Sequence, residues 1–334
     1  LYCKEEFMAN ITVYSVDEYK DEYNKIFAGV YNDFKSRAFS DYKFELTPLE
    51  YDDFINSVKE NLVSCLILFE QDVPTGFLAY TTVISESLEL NIIHIVGDEN
   101  SIQKRCVLMQ KFLDINADII AKKVVTYALL GKQEEIIPEL PKFGFETVNQ
   151  SVMKFDFKNP ACISKLRETP LPRLNNGFRT VNWDDKYFNA VCNLVLNSFK
   201  DMSDAKFDPR FTSMNGVKDI VAKIITGLYG EFLPQETKIL LYHDEPVGVC
   251  FANLTNSEIA NVPIVAVKEK YRGKSYGIYL LKSVVTDVYS TVMNCTRNLS
   301  ELNASCDTDN LSAYKMYQAV GFEELYSYKQ SYKG

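Results

Sequence analysis

The sequence predicts an α/β protein with a mixed sheet, in which two tandem domains share one fold. Three observations support this prediction. Runs rich in β-branched and aromatic residues alternate along the chain with segments whose apolar residues recur at helical spacing. The order of these elements in residues 1–157 returns in residues 178–334. The length of 334 residues also exceeds the usual size of one domain, about 100 to 200 residues.

The first domain is predicted to span residues 1–157. Its expected elements, in chain order, are a strand at 11–14, helices at 17–35 and 48–61, strands at 65–69, 76–83 and 88–96, a helix at 101–121, a strand at 124–129, a short helix and a closing strand at 151–157. Residues 158–177 contain three prolines and end in Asn-Asn-Gly. This composition interrupts helices and strands alike, so the segment is predicted to be a linker.

The second domain is predicted to span residues 178–334 and to repeat this order. Its expected elements are strand 178–181, helix 184–199, strands 238–242, 247–252 and 259–267, a charged loop at 268–277, helix 278–293, strand 300–306, helix 310–320 and strand 322–332. The hairpin connection His-Asp-Glu-Pro resembles Gln-Asp-Val-Pro in the first half, and both halves close on a Gly-Phe pair. We therefore infer a duplicated fold.

Composition excludes several function classes. A net charge of −9 and a pI near 5.0 argue against nucleic acid as the main partner, since phosphate backbones are bound by clustered Lys and Arg. Eight scattered cysteines without a CxxC pair, and only two histidines, provide no zinc site. No apolar run is long enough to span a membrane, and no signal peptide is apparent. We expect a cytoplasmic protein without metal or membrane contacts; its oligomeric state is not predicted.

The most informative segment is residues 262–281, where a strand runs through a basic, glycine-containing loop into a helix. Backbone N–H groups at a helix N-terminus bind anions, and glycine lets the chain approach the anion closely, so a pyrophosphate is the expected ligand. Glycine also occurs in tight turns for steric reasons alone, which keeps a purely structural interpretation open. The segment matches neither the Walker loop nor the dinucleotide pattern GxGxxG.

This loop closely resembles the pyrophosphate loop of the GNAT N-acetyltransferase superfamily, [Q/R]xxGx[G/A]. The matching residues are Arg272, Gly273, Lys274, Ser275, Tyr276 and Gly277, with Ser275 in place of the first motif glycine. A second family pattern, NxxAxxxYxxxGF, is matched completely by Asn310, Ala313, Tyr317, Gly321 and Phe322. The chain is thus similar to this superfamily over about residues 262–322, and the resemblance implies the GNAT fold for the second half.

The resemblance also implies roles for individual residues. The backbone of Val265, Ala266 and Val267 would pair with the pantetheine arm of acetyl-CoA as an added strand. Amides from Arg272 to Gly277 would hold the pyrophosphate, Asn310 would contact the coenzyme near its arm, and Ala313 would let its helix pack closely. Tyr317 would be the general acid that protonates the departing thiolate.

A general base is less well defined by the sequence. Some family members carry a glutamate about eleven residues before the loop motif, and here that position is Asn261. The nearest acid, Glu258, either acts through a water molecule or is an exposed carboxylate at the end of a hairpin. Many members work without a dedicated base. The length of the acyl chain is also open, with Phe251 and Leu254 as candidate determinants.

The first half departs further from the family pattern. Its corresponding loop, residues 96–105, has one glycine and two acids, which would repel a pyrophosphate, and Leu140 occupies the position of Tyr317. We expect a GNAT-like domain without catalytic or coenzyme machinery. The predicted function is acetyl transfer from acetyl-CoA to an amine such as a polyamine, an aminoglycoside or a lysine-bearing peptide. The alternative is a non-catalytic coenzyme A-binding or scaffold protein.

Overall fold

The computed structural model describes residues 11–15, 24–44, 47–81, 87–97 and 99–334. The chain divides into two compact units, one of residues 1–148 and 328–334, the other of residues 149–327. The first division lies nine residues before the boundary expected from the sequence. The last seven residues join the first unit because their strand pairs there, with Lys329 opposite Leu129. The predicted start of the first helix, at residue 17, lies outside the described residues.

The first unit is a mixed sheet with helices on both faces. Its strand order is β1-β2-β3-β4-β5-β15, and among these β4 and β5 are parallel. Its complete elements are β1 (Ile11–Ser15), α1 (Asn24–Arg37), α2 (Tyr51–Lys59), β2 (Ser64–Glu70), β3 (Val73–Thr81), β4 (Ser87–Ile95), α3 (Ser101–Ile115), α4 (Ala117–Ile120) and β5 (Val124–Leu129).

Alternation along the strands explains why both faces are covered. In β2, Ile67 packs with the apolar residues of α1 and α2, whereas Leu66 and Leu68 pack with those of α3. Successive side chains of a strand point to opposite faces, so a continuous apolar run such as Cys-Leu-Ile-Leu-Phe is what a sheet buried on both faces requires.

The second unit contains two sheets, in the orders β6-β14-β12-β11-β8 and β13-β10-β9-β7. Its elements, with β15 shared between the units, are β6 (Glu146–Asp156), α5 (Pro160–Glu168), β7 (Phe178–Asn182), α6 (Phe188–Phe199), α7 (Asp204–Phe207), α8 (Met214–Ile225), β8 (Glu231–Phe232), β9 (Lys238–Tyr242), β10 (Glu245–Cys250), β11 (Asn253–Leu254), β12 (Ile259–Asn261), β13 (Val265–Val267), α9 (Tyr276–Met293), β14 (Glu301–Asp307), α10 (Leu311–Val320) and β15 (Glu323–Lys333). The mixed α/β fold predicted from the sequence is confirmed.

Helix α5 occupies part of the segment that was expected to be a linker. Asn159 caps it, with its side-chain oxygen accepting from the amide of Ala161 at 2.9 Å. Pro160 stands at the first helical position, where a missing N–H costs nothing. At the other end, the buried ammonium of Lys282 donates to the carbonyls of Leu166 and Thr169. Prolines in this segment therefore start and follow a helix.

The strand predicted at residues 259–267 is two strands in different sheets. β12 runs parallel to β14, with Asn261 opposite Asn303, and the amide of Val262 still donates to Asn303 at 2.8 Å. Pro263 has no amide hydrogen to continue this ladder. β13 then pairs with β10, while β14 continues along β6, so the two parallel strands diverge.

Details of the turns recur in the two units, as the inferred duplication predicts. Both hairpins turn on two residues with positive φ, Gln71 and Asp72 (50° and 64°) in one unit and His243 and Asp244 (46° and 67°) in the other. In both hairpins the pairing register shifts beside the proline that follows the turn. The shift lies between Leu68 and Phe69, where Phe69 pairs with Pro74, and between Pro246 and Gly248. Among the described residues no helix is long and apolar enough to cross a membrane.

Candidate active site

A cavity of about 480 Å³ opens in the second unit beside the diverging strand β13. It is bounded by β13, the loop that follows, the first turns of α9 and α10, and the end of α6. Its lining includes ten of the eleven residues that the sequence analysis proposed for coenzyme binding: Val265, Ala266, Val267, Arg272, Gly273, Ser275, Tyr276, Gly277, Asn310 and Ala313. Lys274 and Tyr317 are not part of it.

One edge of β13 carries unpaired backbone groups. Its pairing with β10 places Ala266 opposite Val249, and the flanking bonds run from Phe251 to Ile264 (3.0 Å) and from Lys268 to Val247 (2.8 Å). In an antiparallel ladder every second residue points its N–H and C=O away from the partner strand. The polar groups of residues 265 and 267 therefore face away from β10. The carbonyl of Val267 accepts from the Arg272 side chain, and the amide of Val267 and both backbone groups of Val265 are available to an extended ligand.

The loop brings the N-terminus of α9 to the cavity. Ser275, the residue before the helix, adopts a left-handed conformation with φ 63°, and Gly273 has φ 73°. No side chain caps this end of α9. Its first amide hydrogens are thus unpaired within the helix and form a site for an anion.

Basic side chains surround this helix end. Arg272 donates from Nε to the carbonyl of Val267 at 2.9 Å and from a terminal nitrogen to Ser198 at 3.3 Å, which holds its guanidinium at the cavity wall. The ammonium groups of Lys270 and Lys274 lie 4.8 and 5.7 Å from the ring centre of Tyr271. Together with the helix end, these cations produce a positive potential where a pyrophosphate is expected.

Two motif residues have structural roles in α9 and α10: Gly277 lets the two helices approach closely, and Asn310 caps α10. A Cβ atom on Gly277 would lie 2.8 Å from the sulfur of Met316, so a larger residue there displaces that side chain. Asn310 caps α10, since its side-chain oxygen accepts from the amide of Ala313 at 3.1 Å. The motif asparagine thus has a structural function as well as a place in the cavity lining.

Tyr317 lies in the core, outside the cavity lining, and directly follows the lining residue Met316 in the chain. Its side chain is 5% exposed and its ring packs edge-to-face on Phe322, with ring centres 5.3 Å apart. Burial, reinforced by the neighbouring Cys250, Cys306 and Asp204, raises the pKa of this phenol far above its ordinary value. The hydroxyl therefore keeps its proton throughout the physiological pH range.

The Acetyltransferase (GNAT) family model matches residues 222–322, which include β13, the anion loop, α9 and α10. Residues 222–322 therefore form a domain of the GNAT family. Two solved structures extend this likeness to both units. A GCN5-related N-acetyltransferase from Sphaerobacter thermophilus is 13% identical, with 97% of this chain and 95% of that chain covered and a TM-score of 0.60.

The second is a tandem GNAT protein from the clavulanic acid biosynthesis pathway, 10% identical, with 96% of this chain and 98% of that chain covered and a TM-score of 0.55. At such low identities the likeness establishes the fold. No curated protein matches the chain in sequence. The structural likeness covers both units, so the chain has a tandem GNAT fold with a divergent N-terminal half, as the resemblance and the duplication predicted.

The sequence analysis did not propose nine of the nineteen residues that line the cavity, and one of these nine, Asp204, is an acid. Asp204, at the start of the four-residue helix α7, lines the cavity together with Phe199 and Met202. Burial raises the pKa of its carboxyl, and the nearby charge of Asp307 raises it further. The residue lies in no motif, so the sequence signal was limited to an acid after the predicted helix at residues 184–199.

The other candidates lie away from the cavity. Glu258 is exposed in the turn before β12, as expected of a hairpin-end carboxylate, and neither it nor Asn261 is in the cavity lining. Phe251 and Leu254 are buried in the core and do not reach the cavity. His243 lies exposed in the hairpin turn. The described residues contain no group of three or more potential metal ligands.

The first unit has the same strand divergence, but its gap is filled. β4 and β5 pair as far as Leu90 and Tyr127, and residues 91–95 continue without β5. Arg105 of α3 is 1% exposed and donates to the carbonyl of Ile93 at 2.6 Å. Nδ1 of His94 lies at hydrogen-bond distance, 2.7 Å, from the hydroxyl of Tyr42, and Nε2 lies 3.1 Å from the Asp33 carboxylate.

Proposed function

We propose that this protein is an N-acetyltransferase that moves an acetyl group from acetyl-CoA to a primary amine by direct transfer within a ternary complex. One observation carries the proposal: the cavity of the second unit combines an unpaired strand edge with an uncapped helix N-terminus. The first accepts a pantetheine arm by strand addition and the second accepts a pyrophosphate. Both lie in the segment that matches the GNAT family.

The residues of the cavity fit acetyl-CoA as a substrate. Backbone groups of Val265 and Val267 offer hydrogen bonds to the two amides of pantetheine, and the loop from Arg272 to Gly277 offers amides and positive charge to the diphosphate. The cavity wall at Ile278 and Met316 is apolar, which suits the alkyl part of the arm.

The step that the protein is proposed to assist is the departure of the coenzyme A thiolate. As the C–S bond of the tetrahedral intermediate breaks, negative charge develops on sulfur, and a fixed O–H donor stabilises it. Tyr317 is the proposed donor because its raised pKa keeps the phenol protonated and its ring is held rigidly against Phe322. Because Tyr317 lies on α10 and outside the cavity lining, this role requires that the thioester end of acetyl-CoA lies on the α10 side of the cavity.

A non-catalytic coenzyme A-binding scaffold is the second candidate. Two observations favour it: Ser275 stands in a left-handed conformation where the family uses glycine, and Asn261 replaces the glutamate that serves some members as base. A scaffold of this kind would bind coenzyme A but release no thiol with any amine.

Calorimetric titration with acetyl-CoA and coenzyme A tests the common part of both candidates. We expect one site per chain, and loss of binding in Gly277→Glu, which adds a carboxylate beside the pyrophosphate. Gly29→Glu is the matched control, since Gly29 lies exposed on α1 with open space around its Cα. Absence of binding to the unchanged protein would overturn the proposal.

Tyr317→Phe then separates the enzyme from the scaffold. The variant should bind coenzyme A normally and lose about 100-fold in kcat, the usual contribution of a general acid. Tyr289→Phe, on the part of α9 that stacks on Phe157, should keep full activity. A fully active Tyr317→Phe enzyme would contradict the acid role.

A further inference from the structure

The carboxylate of Asp204 has an unusual environment. It lines the cavity, and within the described part of the chain no side chain donates a hydrogen bond to it or forms an ion pair with it. Its neighbour Asp208 shows the contrast, because Arg210 binds that carboxylate at 2.6 Å and also reaches Asp219 at 3.0 Å. One acid of this segment is compensated by an arginine and the other is not.

The Asp204 carboxylate is half-buried and accepts a hydrogen bond from its own backbone amide, which provides no positive charge to balance it. A cation would therefore stabilise it. The charge of Asp307, which is also negative and 9% exposed, acts on Asp204 and raises the pKa of its carboxyl. Of the cavity's cations, Arg272 is occupied with the carbonyls of Val267 and Ser198, and Lys315 is exposed on α10. The cavity thus has a positive end at the anion loop and a negative end at Asp204.

This polarity separates the two expected substrates. The diphosphate of the coenzyme is attracted to the loop, whereas the negative end repels it and attracts a cation. Tyr317 is outside the lining, but it is close enough to the negative end for the charge of Asp204 to act on its phenol. The acid that stabilises the leaving group and the carboxylate that attracts a cation therefore belong to the same region of the site.

We infer that Asp204 binds the ammonium group of the acceptor amine at the negative end of the cavity and accepts a proton from it. The inference rests on the proposed acetyltransferase function and adds a substrate class, cationic primary amines, and a base. Neither residue considered from the sequence, Glu258 or Asn261, lies in the cavity lining.

The proton balance of the transfer is complete with the groups present. Asp204 takes one proton from R–NH₃⁺, and the lone pair of the resulting amine attacks the thioester carbonyl carbon, forming the C–N bond. The C–S bond then breaks, and sulfur receives its proton from Tyr317. The second nitrogen proton restores the phenol, and Asp204 releases its proton to solvent when the amide leaves. The raised pKa of the Asp204 carboxyl brings it closer to the operating pH, as an effective base requires.

Asp204→Asn tests the inference because it removes the charge and keeps the side-chain size. Asp201→Asn is the matched control, three residues earlier and exposed. Three probes represent the acceptor class: spermidine, the aminoglycoside kanamycin and lysine amide. Coenzyme A should bind both variants within about twofold of the unchanged protein, which shows that the fold and the anion loop are intact.

Two further measurements follow. In binding, the protein saturated with coenzyme A should hold at least one of the three amines, and Asp204→Asn should weaken that binding tenfold or more. In turnover, thiol release from acetyl-CoA with the same amine should fall at least about 100-fold in kcat/KM for Asp204→Asn, within the range expected for a lost base. Asp201→Asn should match the unchanged protein in both.

The outcomes distinguish the inference from the function on which it rests. A protein that binds coenzyme A but none of the three amines, or an Asp204→Asn variant that binds and acetylates an amine normally, overturns the role of Asp204. A protein that binds both ligands, loses amine affinity on Asp204→Asn, yet never releases thiol, supports the cation site and refutes the acetyltransferase proposal.

Discussion

The two units contain the same divergence between parallel strands and use it in opposite ways. In the second unit the gap beside β13 is a cavity with an exposed strand edge. In the first unit, the guanidinium of Arg105 occupies the corresponding place and donates to the carbonyl of Ile93. Both units place a left-handed residue before the helix at this point, Asn100 and Ser275. The backbone of the site was therefore retained in both, and side chains decide whether it is open.

Position along the helix explains how one side chain closes the gap. Arg105 is the fifth residue of α3, and the fifth residue of α9 is Leu280. Leu280 is fully buried and packs against Gly248, whereas Arg105 reaches across to the strand and lies beside His94 and Tyr127. A long hydrogen-bonding side chain satisfies the strand carbonyl that a ligand would otherwise use. From this comparison we expect that coenzyme binding depends on a strand edge that no side chain of the protein covers.

Leu280→Arg provides the strongest test of this comparison, because it transfers the closing residue to the open unit. We expect loss of coenzyme A binding by at least about 100-fold, together with destabilisation of about 3 kcal/mol from overpacking and a buried charge. Leu280→Met, which conserves volume, should cost less than about 1.5 kcal/mol and leave binding intact. Calorimetry and urea unfolding measure the two effects. Normal coenzyme binding by Leu280→Arg would show that the fifth helical position does not control the gap.

Arg105→Leu makes the opposite exchange in the first unit. It leaves the Ile93 carbonyl and neighbouring polar groups buried without their partner, so we expect a loss of about 3 to 5 kcal/mol in the free energy of unfolding. The variant should gain no coenzyme site, since the first unit lacks the basic loop. Arg173→Leu, at an exposed arginine, should stay within about 0.5 kcal/mol. A stable Arg105→Leu protein would mean that Arg105 merely fills space.

The two histidines of the chain permit a pH test, since one lies in each unit. Burial lowers the pKa of His94 from 6.5 to about 4, despite the opposing effect of Asp33. The unfolded chain therefore binds a proton that the folded chain refuses, so stability is complete above pH 6.5 and falls as the pH decreases toward 4. The loss amounts to at most about 3 kcal/mol.

Urea unfolding between pH 4 and 8 measures this loss. In His94→Gln the extra slope in that window should disappear, whereas His243→Gln, at the exposed hairpin turn, should retain it. An unchanged slope in His94→Gln would assign the acid sensitivity to other groups.

Ser275→Gly is expected to have the smallest effect. A non-glycine residue in the left-handed region costs about 1 to 2 kcal/mol. Glycine removes this cost but makes the unfolded chain more flexible, which offsets part of the gain, so the variant should be stabilised by about 1 kcal/mol. Coenzyme A should bind a few-fold more tightly, because the helix amides open to the anion without the side chain. Asn100→Gly, at the equivalent position of the first unit, should gain less stability, because asparagine tolerates the left-handed region better than serine, and should leave binding unchanged. Weaker coenzyme binding by Ser275→Gly would show that the serine hydroxyl itself holds the ligand.

Much of the fold followed from local sequence signals. The hairpin at His243 and Asp244, the helix after the basic loop and the Asn310 cap all depend on residues close together in the chain, and the structure contains each of them. The helix at residues 160–168 lies where the sequence predicts a linker, because three prolines in this segment are a stronger local signal than the Asn159 cap. Lys282 stabilises the end of this helix by donating to its last carbonyls. That pairing joins residues more than a hundred positions apart, and no local rule includes it.

The sequence by itself determined the order of elements, the duplicated fold and the GNAT identity of the second half, since these depend on periodicity, turn residues and motif spacing. Tertiary structure decided which side chains share a cavity. One predicted strand splits at Pro263, Asp204 lines the cavity of the second unit, and Arg105 closes the equivalent gap in the first. The physical reason is that conformational preferences act over a few residues, whereas burial and charge compensation act between residues that only the folded chain brings together.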